Sequence, residues 1–231
     1  MKLYSRLSAL GAVLVVSAAF ASADTISSSS STVTFAGYST TAPNPLTLPT
    51  GGTATFDLNP GTTWFGPFPG SSWVGSTATS GPVGVVNPAK GYYVYDYAFT
   101  PSAGAGVYSL ALTLLADDTA EVVLNGQILI PFGGLGGDHH CADNAPGCDM
   151  GTIFTLPLTP VTLGATDNLF FVVRQAGFQG TGGIGNPSGV DFEGGFTSHN
   201  GPPTTPEPNT LLLLGTGLIA SAGALFRRKR L

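Results

Sequence analysis

The residues with the clearest capacity for chemistry lie in one Gly-rich stretch, residues 136–151. Cys141 and Cys148 are the only cysteines of the chain. In an oxidising compartment two nearby cysteines usually form a disulfide, and this one would close a small loop that stabilises the fold by about 2–3 kcal/mol. A metal site is the alternative because His139 and His140 precede Cys141, but adjacent imidazoles rarely both face one zinc ion. The pattern therefore favours a disulfide.

Oxygen-bearing side chains in the same stretch suggest a second possible site. Calcium binds about six to eight oxygen ligands, and four candidate side chains are Asp138, Asp143, Asn144 and Asp149. They lack the spacing of an EF-hand loop, so a solvated acidic loop is the favoured alternative. The sequence predicts no cofactor other than this structural calcium, and no firm metal site.

Two groups of acidic residues suggest a glycoside hydrolase: Asp117 with Asp118, and Asp191 with Glu193. Such enzymes hold two carboxylates roughly 5–10 Å apart across a cleft. Neighbouring residues on a strand face opposite ways, and aspartate is common beside turns because it bonds to its own backbone. A Gly-x-Ser-x-Gly elbow, a His-Glu-x-x-His motif and a phosphate loop are all absent from the sequence. We therefore predict no catalytic residues.

Two tryptophans, Trp64 and Trp73, lie in a stretch rich in Gly, Pro and Phe. Aromatic rings on loops commonly stack on sugars, with a polar rim for the hydroxyls. The alternative is that they fill the core at the corner of a β-sandwich. The core is the favoured interpretation, and contact with a glycan is the functional one.

Strands must position these residues, because residues 24–197 contain no convincing helical spacing of apolar residues. Alternating patterns bounded by Gly, Pro, Asn and Asp predict short strands instead. Ala54, Phe56 and Leu58 are expected on one buried face of their strand. The predicted strands are 32–38, 53–58, 92–100, 107–116, 121–124, 127–130, 153–158, 169–175 and 190–197.

The most definite local prediction is a hairpin turn at Asn125-Gly126, because this dipeptide suits the positive φ angles of a type I′ turn. Some nine short strands in about 175 residues are typical of an all-β, antiparallel sandwich. Each sheet would bury one face against the other, which explains the alternation.

The charge distribution excludes one class of partner. Between Asp24 and Thr205 only Lys90 and Arg174 are basic, against twelve acidic residues. Nucleic-acid binding needs clustered Lys and Arg to displace counterions from phosphates, so we expect none. An acidic, Thr-rich surface suits a soluble extracellular domain.

Residues 1–23 have the pattern of a secretory signal peptide. Lys2 and Arg6 precede an apolar run that ends in Ala21-Ser22-Ala23, a small-x-small site for signal peptidase. The sequence predicts a signal helix that is removed, with Asp24 as the mature N-terminus. A retained membrane helix is the alternative, but the apolar run is short for a bilayer.

The C-terminal end has three parts in a fixed order. Pro206-Glu207-Pro208 is followed by the uncharged segment 211–226 and then by Arg227-Arg228-Lys229-Arg230. At about 1.5 Å per residue the apolar segment spans about 24 Å, slightly less than a bilayer core. We predict a transmembrane helix there, with the basic cluster as a cytoplasmic stop.

This order closely resembles the PEP-CTERM sorting signal of Gram-negative bacteria. The resemblance implies that an exosortase reads Pro206, Glu207 and Pro208 as a recognition motif and cuts nearby. It implies a protein held transiently in the inner membrane and then found at the cell surface or outside the cell, often with exopolysaccharide. A plain tail anchor is the alternative, and it leaves Pro-Glu-Pro unexplained.

Residues 92–197 also resemble the jelly-roll, galactose-binding-like domains that commonly precede such tails. The supporting segments are Ala116-Asp117-Asp118, Leu124-Asn125-Gly126, residues 167–173 and Asn186-Pro187-Ser188-Gly189. The expected organisation is a signal peptide (1–23), a β-sandwich (24–197), a linker (198–205) and a sorting tail (206–231). We expect a non-enzymatic surface or matrix protein that contacts polysaccharide. A surface glycan hydrolase and a passively anchored envelope protein are the alternatives.

Overall fold

The computed structural model of the chain describes residues 23–83, 88–135, 142–177 and 185–199. Regular structure there is β, apart from the short 3-10 helices Pro45–Thr47 and Met150–Thr152. No helix in these ranges is both long and apolar enough to span a bilayer. The predicted signal helix, the transmembrane helix at 211–226 and the sorting tail lie outside the described residues, except that Ala23 begins a strand.

The described part of the chain forms twelve strands, which lie within one compact unit of residues 22–200. They are β1 (Ala23–Ser27), β2 (Thr34–Ser39), β3 (Thr53–Ala54), β4 (Phe56–Asp57), β5 (Val74–Gly75), β6 (Gly91–Phe99), β7 (Gly106–Asp117), β8 (Thr119–Leu124), β9 (Gln127–Ile130), β10 (Phe154–Leu163), β11 (Asp167–Gln175) and β12 (Gly189–Ser198).

The strands form two six-stranded sheets in which every pairing is antiparallel. Sheet A has the order β10-β7-β12-β5-β4, and β1 pairs with β12 beside β5. Sheet B has the order β3-β2-β6-β11-β8-β9. The prediction of an all-β antiparallel sandwich is confirmed.

The main core lies between the two sheets. On β7 the alternate residues Leu110, Leu112 and Leu114 are fully buried, as their period-2 spacing predicts. Across the interface Phe171 of sheet B stacks on Phe192 of sheet A, with ring centroids 3.9 Å apart. Burying a large apolar side chain contributes about 1.5–3 kcal/mol, so this shared interior dominates the stability of the sandwich.

The prediction for residues 53–58 is wrong in two respects. The segment is not one continuous strand, and Ala54 and Phe56 do not face the core. It breaks at Thr55 into β3, which pairs in sheet B, and β4, which pairs in sheet A. Ala54 and Phe56 are exposed, whereas Thr55 is buried and donates a 2.8 Å hydrogen bond to the carbonyl of Val33. The segment crosses from one sheet to the other, so simple alternation does not hold along it.

Strand β10 is longer than the alternation predicts because it continues through Pro157 and Pro160. Both prolines are tolerated since β10 is an edge strand of sheet A, and its register shifts between Leu156 and Thr159. Strands β1 and β5 were not predicted. Strand β1 begins at the predicted cleavage site, and β5 is two residues long.

The Asn125-Gly126 turn is confirmed. It joins β8 to β9, and both central residues have positive φ angles of 51° and 80°. These values suit the right-handed twist of a two-residue hairpin. Asn125 also donates a 2.8 Å hydrogen bond to the Asp167 carboxylate, which ties the turn to the start of β11.

We predict that Gly126→Ala lowers the free energy of unfolding by about 1 kcal/mol, because an L side chain is strained at this φ. Urea unfolding followed by circular dichroism measures the change. Gly66→Ala is the matched control, since a Cβ added there would meet no atom within 4 Å and its φ is not positive. Equal losses in the two variants would contradict the turn assignment.

Candidate functional site

An open groove of about 490 Å³ runs across the outer face of sheet A. Its walls and floor come from strands β1, β7, β10 and β12 and from Pro69-Gly70. The residues that line it are Thr25, Ile26, Ser27, Pro69, Gly70, Ala111, Leu112, Thr113, Thr155, Glu193, Gly194 and Gly195.

Strand pairing aligns a row of polar side chains across this groove. Thr155 pairs with Thr113, Thr113 with Glu193, and Glu193 with Ser27. Directly opposed side chains on one face lie about 4.5–5.5 Å apart at Cβ. Three hydroxyls and one carboxylate therefore form a continuous row on four adjacent strands, and none of these four is buried.

Small residues make the groove deep next to this row. Ala111 of β7 pairs with Gly195 of β12, and Gly195 pairs with Thr25 of β1. A Cβ at Gly195 would lie 3.0 Å from the carbonyl oxygen of Asp24. A larger residue would therefore press on β1 and raise the floor of the groove.

Residues 58–73, here termed the aromatic loop, cover the part of the outer face of sheet A around Leu115. The Trp64 and Trp73 rings of this loop stack with centroids 4.2 Å apart. They pack in a second core with Leu58, Phe68, Leu115 and Cys148. Trp64 is 4% exposed and Trp73 is 0% exposed. Neither indole presents a ring face on which a sugar could stack, and both occupy the core position that was the favoured interpretation.

Asp191 fastens the aromatic loop to sheet A. Its carboxylate accepts hydrogen bonds from the Ser71 hydroxyl at 2.6 Å, the Ser28 hydroxyl at 2.8 Å and the Phe68 amide at 3.0 Å. Burial raises the pKa of the Asp191 carboxyl, and these three hydrogen bonds oppose the rise. Asp191 is therefore a structural anchor for the loop that forms the groove's rim.

Asp117 and Asp118 are also buried within the fold. Asp117 accepts a hydrogen bond from the Trp64 indole, and Asp118 accepts one from the Ala176 amide. Among the described residues, Glu193 is the only carboxylate that lines the groove. Of the four acids that suggested a hydrolase, Asp117, Asp118 and Asp191 are buried and accept hydrogen bonds from the protein. Only Glu193 is partly exposed in the groove.

The predicted calcium ligands are only partly described. Asp143, Asn144 and Asp149 are exposed, and the Asp149 carboxylate accepts a 2.9 Å hydrogen bond from Gly151 at the start of the second 3-10 helix. Asp138 lies outside the described residues. Within the described ranges no group of three or more His, Cys, Asp or Glu residues could hold a metal ion. Calcium binding stays a prediction.

Cys148 is fully buried and is not a free thiol. Its predicted partner Cys141, like His139 and His140, lies outside the described residues. The Cys141–Cys148 disulfide therefore stays a prediction.

The sequence pattern did not reveal the groove residues Ser27, Thr113 and Thr155. The one signal in the sequence that could identify these residues is that they occupy the polar positions of alternating strand patterns. Their alignment depends on the register of β1, β7, β10 and β12, which no local pattern encodes.

Comparison with protein-family models matches residues 204–230 to the PEP-CTERM protein-sorting motif. The tail is a PEP-CTERM sorting motif. A chain with this motif is exported and is sorted at the membrane by an exosortase. The motif covers Pro206-Glu207-Pro208 and the basic residues Arg227–Arg230, as predicted.

No curated protein matches the sequence. One similar solved structure is the Podospora anserina GH26-CBM35 β-(1,4)-mannanase, at 16% identity and a TM-score of 0.36. The match covers 78% of this chain but only 29% of that one.

We predict that Asp191→Ala lowers the free energy of unfolding by about 2 kcal/mol, because the Phe68 amide loses its acceptor and the Ser28 and Ser71 hydroxyls keep only backbone acceptors. Urea unfolding measures this loss. The matched control is Glu193→Ala, two residues along the same face of β12, which should change stability by less than about 0.5 kcal/mol. Similar losses in both variants would show that Asp191 is not the anchor of the loop.

The stability of the protein should also depend on pH through Asp191. Since its pKa is raised in the folded state, the folded protein holds this proton more tightly than the unfolded chain does. The contribution is fully present below the ordinary aspartate pKa and is lost as the pH rises through the raised value. Urea unfolding between about pH 3.5 and 7 should show a smaller fall in Asp191→Asn. An unchanged slope in this variant would contradict the assignment.

Proposed function

We propose that this protein is a non-enzymatic, exported component of the cell surface or extracellular matrix that binds polysaccharide in the groove of sheet A. The observation that carries the proposal is the row of Thr155, Thr113, Glu193 and Ser27 across an open groove. The sorting motif supports it because the motif brings the domain to the outside of the cell.

The chemistry of the groove suits a hydroxyl-rich chain. Serine and threonine hydroxyls both donate and accept hydrogen bonds, whereas a carboxylate accepts two or more from neighbouring sugar hydroxyls. Four strands at about 4.8 Å spacing give a row about 14 Å long. This length accommodates a few consecutive sugar units rather than a single one.

The proposed processing of the chain follows from its signal peptide and its sorting tail. Signal peptidase removes residues 1–23, and the tail holds the protein in the inner membrane of a Gram-negative bacterium until exosortase acts near Pro206-Glu207-Pro208. Asp24, the proposed mature N-terminus, pairs with Phe196 near the end of β12, so the two ends of the processed domain lie on adjacent strands. Exopolysaccharide is the proposed partner at the surface, and structural calcium is a proposed ligand of residues 138–149.

A hydrolase would need a second carboxylate facing the groove. Asp191 lies two residues from Glu193 on the same face of β12, but it is buried and accepts three hydrogen bonds. This geometry supports binding rather than cleavage, because Asp191 cannot reach a sugar without releasing the aromatic loop.

We predict that Glu193→Ala weakens binding of the host's extracellular polysaccharide about tenfold, since hydrogen bonds to a charged group contribute about 1.5–3 kcal/mol. Affinity electrophoresis of the mature protein in gels that contain the polysaccharide measures the change. Thr197→Ala is the matched control, because Thr197 lies on the same face of β12 but does not line the groove; its affinity should match that of the wild type.

Two results would oppose the proposal. Retention of full affinity by Glu193→Ala would remove the groove as the binding site. Release of reducing ends from the polysaccharide by the wild type, abolished in Glu193→Gln, would establish the hydrolase alternative.

A further inference from the structure

The strongly acidic domain gathers its basic side chains in one place. Lys90 and Arg174 are the only lysine and arginine among the described residues. Both line a pocket of about 140 Å³ at one end of sheet B, which shares no lining residue with the groove. Its other lining residues are Thr40, Gly91, Tyr92, Leu135, Gln175 and Ala176.

Strand register brings the two cations together. Arg174 pairs with Tyr92, and Gln175 pairs with Gly91 at the start of β6. Lys90 directly precedes β6 and therefore lies at the same end of the sheet as Ala176. Ser39 pairs with Tyr92 from the other side, so Thr40 also reaches the pocket. The convergence results from the pairing of three strands.

The charges of the two cations are not balanced by an ion pair. No ion pair joins Lys90 or Arg174 to an acid in the part of the chain that the structure describes. Two positive charges in one pocket repel each other. An anion between them removes this repulsion and gains charge-assisted hydrogen bonds, which are roughly twice as strong as neutral ones.

Two nearby carboxylates bear on the strength of such a site. Asp118 accepts the amide hydrogen of Ala176, which lines the pocket. Glu121 is paired with Val172, the next outward-facing position along β11 from Arg174. Both carboxylates repel an anion and weaken its attraction to the pocket from a distance. An anion is therefore held there only if it contacts the two cations directly.

We propose that this pocket binds an anionic group, a carboxylate, sulfate or phosphate, through Arg174 and Lys90. The planar guanidinium of Arg174 engages two oxygens of such a group, and the Lys90 ammonium engages a third as a point charge. The Thr40 hydroxyl is a further donor in the pocket. The site is separate from the groove and does not rest on the function proposed for it. The anionic group belongs to an acidic extracellular polymer or to a free inorganic anion, and the experiment separates the two.

Isothermal titration calorimetry at low ionic strength tests the site in the whole exported protein, with polygalacturonate and sodium sulfate as separate probes. Lys90→Gln and Arg174→Gln should each weaken binding about tenfold, and Lys90→Arg should retain it. Neutral dextran should bind equally to the wild type and all variants. Any terminal cations present, such as Arg227–Arg230, are common to every variant, so the difference between variants isolates the pocket.

The results distinguish an acidic polymer from a free anion as the ligand. Binding of polygalacturonate but not sulfate, lost in both Gln variants, supports an acidic polymer as the ligand. Binding of sulfate with the same losses supports a free anion. The proposal is overturned if the wild type binds neither probe, or if both Gln variants bind as tightly as the wild type. Thermal unfolding without anion provides the folding control, because Lys90 is exposed and Arg174 is partly exposed.

Discussion

The pairing of β12 on both of its edges is the constraint on which the rest of the structure depends. One edge pairs with β7 along its whole length, and the other is shared by β5 and β1. This arrangement commits alternate residues of β12 to opposite sides of sheet A. Phe192 and Phe196 enter the main core, whereas Asp191 and Glu193 point outward. Core, loop anchor and groove therefore share one register, and a slip of one residue would disrupt all three.

Neighbouring carboxylates in this fold differ in role because they differ in burial. Asp191 lies under the aromatic loop, where three donors satisfy it, and Asp117 holds the Trp64 indole in the same second core. Glu193 lies beyond the edge of that loop and lines the groove. Asp191 and Asp117 are thus structural because the aromatic loop buries them, whereas Glu193 lies outside the loop and can contact a ligand. The same loop buries both tryptophans, so the groove is lined by hydroxyls and contains no tryptophan.

The parts of the fold that could be predicted from sequence are those governed by local rules. The period-2 spacing of Leu110, Leu112 and Leu114 and the positive φ of Asn125-Gly126 are local properties, and both were predicted. The break at Thr55 and the passage of β10 through Pro157 depend on which sheet edge each segment meets. Likewise, the groove and the presence of Lys90 and Arg174 in one pocket come from long-range register. The sorting tail was predictable because its order of motif, apolar segment and basic cluster lies within a single stretch of sequence.

We propose that this exported β-sandwich presents the outer face of sheet A to a polysaccharide. Backbone amide chemical shifts of the mature protein, recorded by NMR during titration with neutral oligosaccharides from the host's extracellular polysaccharide, test it most directly. We expect the largest changes at the groove residues Thr25, Ser27, Thr113, Glu193 and Gly195. Within the aromatic loop, we expect small changes at every residue except Pro69-Gly70, which line the groove. Saturating oligosaccharide that leaves these amides unmoved, or that moves chiefly those of sheet B, would contradict it.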